Sequence, residues 1–351
     1  MSRQRYKLAK YVVFLRQEEH GIVGLGSNQQ VVKDLTFWET LVDVSMAFIN
    51  DASFDEIYTH EPLARDERFS EALTFLIDNR FLVPHHDLDE EGRYSRSHLY
   101  YQSLGGDPQT VSESLHTSSI SIIGCGGIGN HISAMLACSG VGDIHLVDGD
   151  VIELSNLTRQ ILFSESDIGK KKTDVLATEL RRRNKTVRVN VIDRMIQDKA
   201  DLDALPGRDL FVVSADSFAL LPLINQYCLE AGVPYLSVGY MNDISVYGPF
   251  VIPGETGCLN CGVLRLGIGQ GYCERLNVKL QTLNRRFKSA TFPPVNAAAA
   301  ALASSDVLKY LGKIGSLASK DKRIGLHDSS MVIETQDFSA NPECELCAHL
   351  H

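Results

Sequence analysis

Three things are scarce in this chain of 351 residues. No apolar run approaches the ~18 residues a bilayer-spanning helix requires, which excludes a helical membrane protein. Basic residues are outnumbered, 34 Lys and Arg against 44 Asp and Glu, for a formal net charge of −10. A general nucleic-acid binder needs the opposite balance to neutralise phosphates, so that class is set aside. The start, Met1-Ser-Arg-Gln-Arg-Tyr-Lys-Leu-Ala-Lys10, lacks the apolar stretch and small-residue cleavage site of a secretory signal. The expectation is a cytoplasmic protein with neither nucleic acid nor membrane as partner. Arg181-Arg-Arg183 reads as a helix C-terminal cap, not as a polyanion site.

What is present has the makeup of a globular protein, 44% hydrophobic and 22% charged, with length enough for two domains. Ile120, Ile122 and Ile123 form a short apolar strand that runs straight into Gly124-Cys-Gly126-Gly127-Ile-Gly129. Asn130 to Ser139 then has helical spacing, with Ile132, Met135 and Leu136 on one face. Strand, glycine turn and helix in that order make a phosphate cradle, because the backbone turns sharply and free N–H groups face the anion. A second strand, Ile144 to Asp148, ends in a carboxylate placed to accept from ribose hydroxyls.

The continuation decides the chemistry. Asn156-Leu-Thr-Arg159-Gln160 follows the second strand, where the loop overhangs a bound nucleotide. Lys172 opens a helix running to Arg183, and of Lys170, Lys171 and Lys172 two read as solvated. The strand Asp209 to Val213 leads into Ser214-Ala-Asp216-Ser217. An arginine and a lysine near the phosphates, with an aspartate able to hold Mg²⁺, suit adenylyl transfer from ATP rather than hydride transfer.

Two CxxC pairs stand out, Cys258-Leu-Asn-Cys261 and Cys344-Glu-Leu-Cys347. Four soft thiolates fit a tetrahedral structural Zn²⁺ that staples the C-terminus back onto its domain. Of the other cysteines, Cys125, Cys138 and Cys228 read as buried, while Cys273 lies in a glycine-rich polar stretch and is the one candidate for a thioester role.

The segments Gly124 to Gly129, Leu146-Val-Asp-Gly-Asp150, Asn156 to Gln160, Ile168 to Lys172 and Ser214 to Ser217 resemble the ubiquitin-activating-enzyme superfamily in its ThiF/MoeB branch. That resemblance implies a doubly wound, Rossmann-like α/β domain that adenylates a carboxyl group with Mg-ATP. It implies Asp148 as ribose anchor and Asp150 with it in the nucleotide site. Asn156, Arg159, Gln160 and Lys172 are implied at the phosphates and Asp216 at Mg²⁺. Arg93-Tyr-Ser-Arg96 resembles the family's RYxRQ segment, with Ser97 where that pattern has Gln. In a homodimer its second arginine, Arg96, would reach the partner's site. A four-thiolate zinc is common in the superfamily.

Trp38-Glu-Thr, the stretch Ser95 to Pro108, and Arg286 to Ala300 extend the likeness to a peptide-adenylating group of antibiotic biosynthesis, of microcin C and pantocin type. The implied partner is a short ribosomal precursor peptide, activated through a carboxyl or carboxamide and left either bearing AMP or cyclised. The alternative is an activator of a sulfur-carrier or ubiquitin-like C-terminus. Residues 1–90 differ in character from the rest. Tyr11 to Leu15 and Gly21 to Leu25 read as strands, Phe37 to Phe48 and Phe69 to Asp78 as amphipathic helices, and Phe81 to Pro84 as a closing strand. Such an α+β unit is similar to winged-helix-like peptide-recognition domains, which take an extended peptide as an added strand. Asp87 to Gly92 reads as a charged linker to the adenylation domain, residues 91–351. Gly267 to Pro294 reads as the substrate-facing loop, with Arg285, Arg286 or Lys288 able to hold peptide.

Overall fold

A computed structural model describes residues 4–60, 67–207, 209–215, 220–262, 274–286 and 290–351. The chain divides into two compact units, residues 1–112 and 113–351.

The first unit holds β1 (Arg5–Leu8), β2 (Phe14–Arg16), β3 (Gly21–Val23), β4 (Gln30–Val32), α1 (Leu35–Ala47), β5 (Ala52–Ser53), α2 (Phe54–His60), α3 (Glu67–Asp78), β6 (Leu82–Pro84) and α4 (Ser95–Ser103). Its strands form two small sheets, ordered β5-β1-β6 and β2-β3-β4. Asp34 caps α1 by accepting from Thr36 N at 2.9 Å and Phe37 N at 3.1 Å, which closes the loop from β4. α3 buries Phe69, Ala72, Leu73 and Leu76, one helical stripe that meets Leu41, Val44 and Phe48 of the α1 segment in a common core. The stretch Tyr11 to Val13 lies outside the strands. The Tyr11 hydroxyl instead donates to Arg80 O at 2.5 Å, so the expected strand begins only at Phe14.

The second unit opens with the end of α5 (Pro108–Thr117), then β7 (Ser119–Ile123), α6 (Gly127–Cys138), β8 (Asp143–Val147), α7 (Lys172–Arg183), β9 (Arg188–Ile192), α8 (Lys199–Asp203), β10 (Leu210–Val213) and α9 (Leu220–Ala231). β11 (Tyr235–Met241), β12 (Ile244–Val251), α10 (Glu274–Asn284), α11 (Pro293–Leu311), β13 (Lys322–His327) and β14 (Ile333–Asp337) complete it. One eight-stranded sheet runs β14-β13-β12-β11-β10-β7-β8-β9. The five strands from β11 to β9 are parallel, and the last three add as an antiparallel meander. The expected mixed α/β, Rossmann-like fold is present.

The central parallel strands β7, β8 and β10 are largely apolar and buried, as strands covered by helices are. Ile120, Ile122, Ile144, Leu146, Leu210 and Val212 are fully buried, each burial stabilising by roughly 1.5–3 kcal/mol. Chain order reverses between β7 and β10, and in such sheets ligands bind in the crevice beyond the carboxyl ends at that point. α11 packs on α6, and its Ala299, Ala300 and Ala303 are all buried. Small residues there let the amino ends of both helices meet above the crevice. Cys125 and Cys228 are buried as expected, but Cys138 is exposed. It shares the outer face of α6 with Ala134, not the inner face of Ile132 and Leu136.

Candidate active site

A cleft of about 270 Å³ opens where β7, β8, β10 and β11 end. Its floor is the glycine turn. Gly124 sits at φ +96°, a backbone conformation that side chains disfavour, and Gly124 N donates to Val147 O at 2.9 Å. A β-carbon on Gly129 would stand 1.9 Å from Gly124 O, so turn and helix close on each other only with glycine there. Asn130 N is the amide that begins the bonding of α6, donating to Gly126 O. The N–H groups ahead of it at the helix start are left for an anion.

Cations and polar groups converge on that floor. Gly126, Gly127, Asp150, Asn156, Arg159, Gln160 and Lys172 all line the cleft, with Ser214, Tyr240 and Asn296 on the far wall. Lys172, buried at the start of α7, donates from Nζ to Asp150 Oδ2 at 2.8 Å. A buried ammonium with one carboxylate partner keeps further donors for phosphate oxygens. Of its lysine neighbours Lys170 is exposed, and Lys171 is partly exposed in an ion pair with Asp193 at 3.0 Å. Arg159 reaches back to Ser155 O at 3.1 Å. Asn156 is buried and ties its own loop, Oδ1 accepting from Glu153 N at 3.0 Å. Asn130 Oδ1 accepts from Leu162 N at 3.1 Å, which fastens the chain just past Gln160 to α6.

Asp148 has a role that its spacing did not show. Its carboxylate is buried and accepts from Cys125 N at 2.7 Å and Asp150 N at 2.9 Å, so it holds the glycine turn against the end of β8. Asp150 and Glu153 are the carboxylates that line the cleft. Burial, reinforced by Asp148, pushes the Cys125 thiol well up, which keeps it a protonated, unreactive part of the turn.

The chemistry of such a cleft is electrostatic. Free amides, Lys172 and Arg159 surround one small volume and are suited to charge developing on a phosphoryl group. The ThiF family profile matches residues 95–346. This chain belongs to the ThiF family.

E. coli MccB, solved with AMPCPP and MccA, is 41% identical over 98% of this chain and 99% of that one, with a TM-score of 0.92. MccB solved with ATP superposes with a TM-score of 0.91. The sulfur carrier protein ThiS adenylyltransferase of Bacillus subtilis is 31% identical over 191 residues, 53% of this chain and 55% of that protein. The chain thus spans only about half the length of that curated relative. The ThiF domain here is an ATP-dependent adenylyltransferase domain.

Some sequence expectations for this ThiF protein fall elsewhere. Asp216, Cys273 and Lys288 lie outside the described residues. Arg285 and Arg286 are exposed just beyond α10. Arg96 is an exposed residue of α4 in the first unit. Sequence reading passed over Ser214, Tyr240 and Asn296. Ser214 and Tyr240 fall at or next to strand ends at the switch point, a signal that topology alone supplies.

The four CxxC cysteines do meet. Their sulfurs all lie within 4.8 Å of one another, with Cys261 and Cys347 3.3 Å apart and Cys258 and Cys344 3.7 Å apart. Cys258 follows β12, whereas Cys344 and Cys347 follow β14, so the cluster clasps the chain's end to the turn Leu259–Cys261. Four sulfur donors, three of them buried, fit a thiophilic cation such as Zn²⁺.

Proposed function

We propose that this protein uses ATP to adenylate a short ribosomally made precursor peptide, in the making of a peptide-derived antibiotic. The observation that carries this reading is the reach of the likeness to MccB. It covers 98% of the chain, the first unit included, whereas the ThiS adenylyltransferase match takes in 53%. MccB is a microcin C7 biosynthetic enzyme that has been solved with N-formylated MccA.

In the proposed reaction the triphosphate lies over the free amides of α6, held by Gly124, Gly126, Gly127 and Gly129. Asp148 and Asp150 take the ribose side, and Asn156 and Gln160 the phosphates. An oxygen of the peptide's carboxyl or carboxamide forms a bond to the α-phosphorus. The bond from that phosphorus to the bridging oxygen breaks, and pyrophosphate departs with the electron pair. Lys172 and Arg159 stabilise the added negative charge, joined in a homodimer by Arg96 from a second copy. Asp216 would hold Mg²⁺, which would supply cationic stabilisation of the phosphates. A nucleophile in the same peptide then attacks the activated carbon, closing a ring and expelling AMP, or a peptide nitrogen attacks the phosphorus, expelling the peptide oxygen and keeping AMP on the peptide through a phosphorus–nitrogen bond. Zn²⁺ at Cys258, Cys261, Cys344 and Cys347 is structural. ATP consumption assigns the reaction to the cytoplasm.

The peptide is assigned to the first unit. The sheet β2-β3-β4 has two edge strands, each paired, among the described residues, only with β3, and an extended peptide can add to such an edge through backbone bonds. Mass spectrometry after incubation with ATP tests the reading. MccA gaining AMP or losing water supports it; modification confined to a carrier protein ending in Gly-Gly favours sulfur-carrier activation instead.

A further inference from the structure

Asn296, in the first turn of α11, is 1% exposed. Its Nδ2 donates to Phe292 O and Thr291 Oγ1, both at 3.0 Å. A carbonyl such as Phe292 O only accepts, so the amide's NH₂ must face it and the orientation is fixed. Asn296 Oδ1 therefore turns the other way, and it has no hydrogen-bond partner. A β-carbon on Gly127 would stand 2.7 Å from that oxygen and 3.1 Å from Arg159 Cγ. The unpaired acceptor thus sits over the glycine turn beside the stem of Arg159, in the wall of the adenylation cleft.

A buried acceptor is satisfied only by a donor. Phosphate oxygens accept, and so does an ionised carboxylate, so neither completes Asn296. A carboxamide carries two N–H donors. Arg159, Gln160, Lys172 and Tyr240 line the same cleft, but none of them donates to Asn296 Oδ1, and the ribose hydroxyls are assigned to Asp148 and Asp150 at the end of β8. We propose that Asn296 is the specificity-determining residue for the reacting end of the peptide: its Oδ1 accepts an N–H from that end and so admits a carboxamide in preference to a carboxylate. This rests on the peptide-adenylating reading above and adds to it the group that discriminates.

The test compares MccA, with asparagine at position 7, against the same peptide with aspartate there. Pyrophosphate release from ATP is measured with wild type and with Asn296→Ser and Asn296→Ala. The wild type is expected to prefer the amide, and each variant to lose about tenfold or more of that ratio in kcat/KM, while the Kd for ATP stays unchanged. A wild type without amide preference overturns the proposal and needs no variant to do so. Variants that keep the full ratio overturn it too. A weakened ATP affinity with the ratio intact would assign Asn296 to the nucleotide instead. Release with neither peptide, by a wild type that binds ATP, contradicts the peptide reading itself and this inference with it.

Discussion

Lys172 shows how much one side chain can be asked to do. It is buried at a helix start, and its partner Asp150 is more than half exposed. Removing the ammonium leaves a carboxylate that water can solvate, so the fold loses little. The reaction loses a cation aimed at the phosphates. Lys172→Met is expected to lower ATP–pyrophosphate exchange by roughly a hundredfold or more, with a melting temperature close to wild type. Near-normal exchange would show that the ammonium plays no part. The residues at this scale were unevenly legible. Lys172, Arg159 and Gln160 stand in contiguous motifs next to recognisable element boundaries, and the cleft does gather them. Asn296 was invisible as a site residue because its meaning lies in contacts across the fold. Gly127, which its free oxygen overlies, is far away in sequence. Asp148 was legible as a strand-end acid, but its bonds to the turn's own amides depend on how β7 and β8 align.

At the scale of elements, the parallel core announced itself. β7, β8 and β10 are apolar runs cut off by glycine or polar residues, and α7 occupies the span Lys172 to Arg183 that its pattern marks. The meander did not. Every residue of β14 is exposed, so burial leaves no alternation to read, and its pairing to β13 is set by the chain's return rather than by side chains. The stretch Asp87 to Gly92 reads as a linker, yet Gln109 Nε2 donates to Asp87 O at 3.4 Å and His86 lies 3.6 Å from Asp107. Those contacts explain why α4 and the start of α5 gather with the first unit. Two predictions belong here. The purified protein should carry about one zinc per chain, and Cys347→Ser or a strong chelator should remove it and lower the melting temperature; a metal-free protein of unchanged stability would refute the staple. At the edge strands, Leu15 of β2 and Val31 of β4 are both exposed. Leu15→Asp or Val31→Asp, at least one of the two, should raise the KM for peptide about tenfold without moving that for ATP. Neither doing so would remove the added-strand docking.

For the whole molecule, the two units divide the labour proposed here, one reading a peptide and the other activating it. Among the described residues no helix is long and apolar enough to cross a membrane. The proposed sharing of Arg96 between two copies makes a sharper prediction about assembly. Arg96→Ala and Lys172→Met carry their defects in different units, and each alone should be close to inactive. Mixed in equal amounts and allowed to exchange subunits, they should regain about a quarter of wild-type activity, since half the dimers are mixed and each holds one intact site. No recovery would mean that Arg96 acts within its own chain, and an active Arg96→Ala protein would mean that it does not act at all.

The bond at which ATP is cut distinguishes adenylyl transfer from phosphoryl transfer. Incubated with ATP and MccA, the protein should release inorganic pyrophosphate and leave the adenylyl group with the peptide or as free AMP. Release of inorganic phosphate and ADP in its place would contradict the central claim.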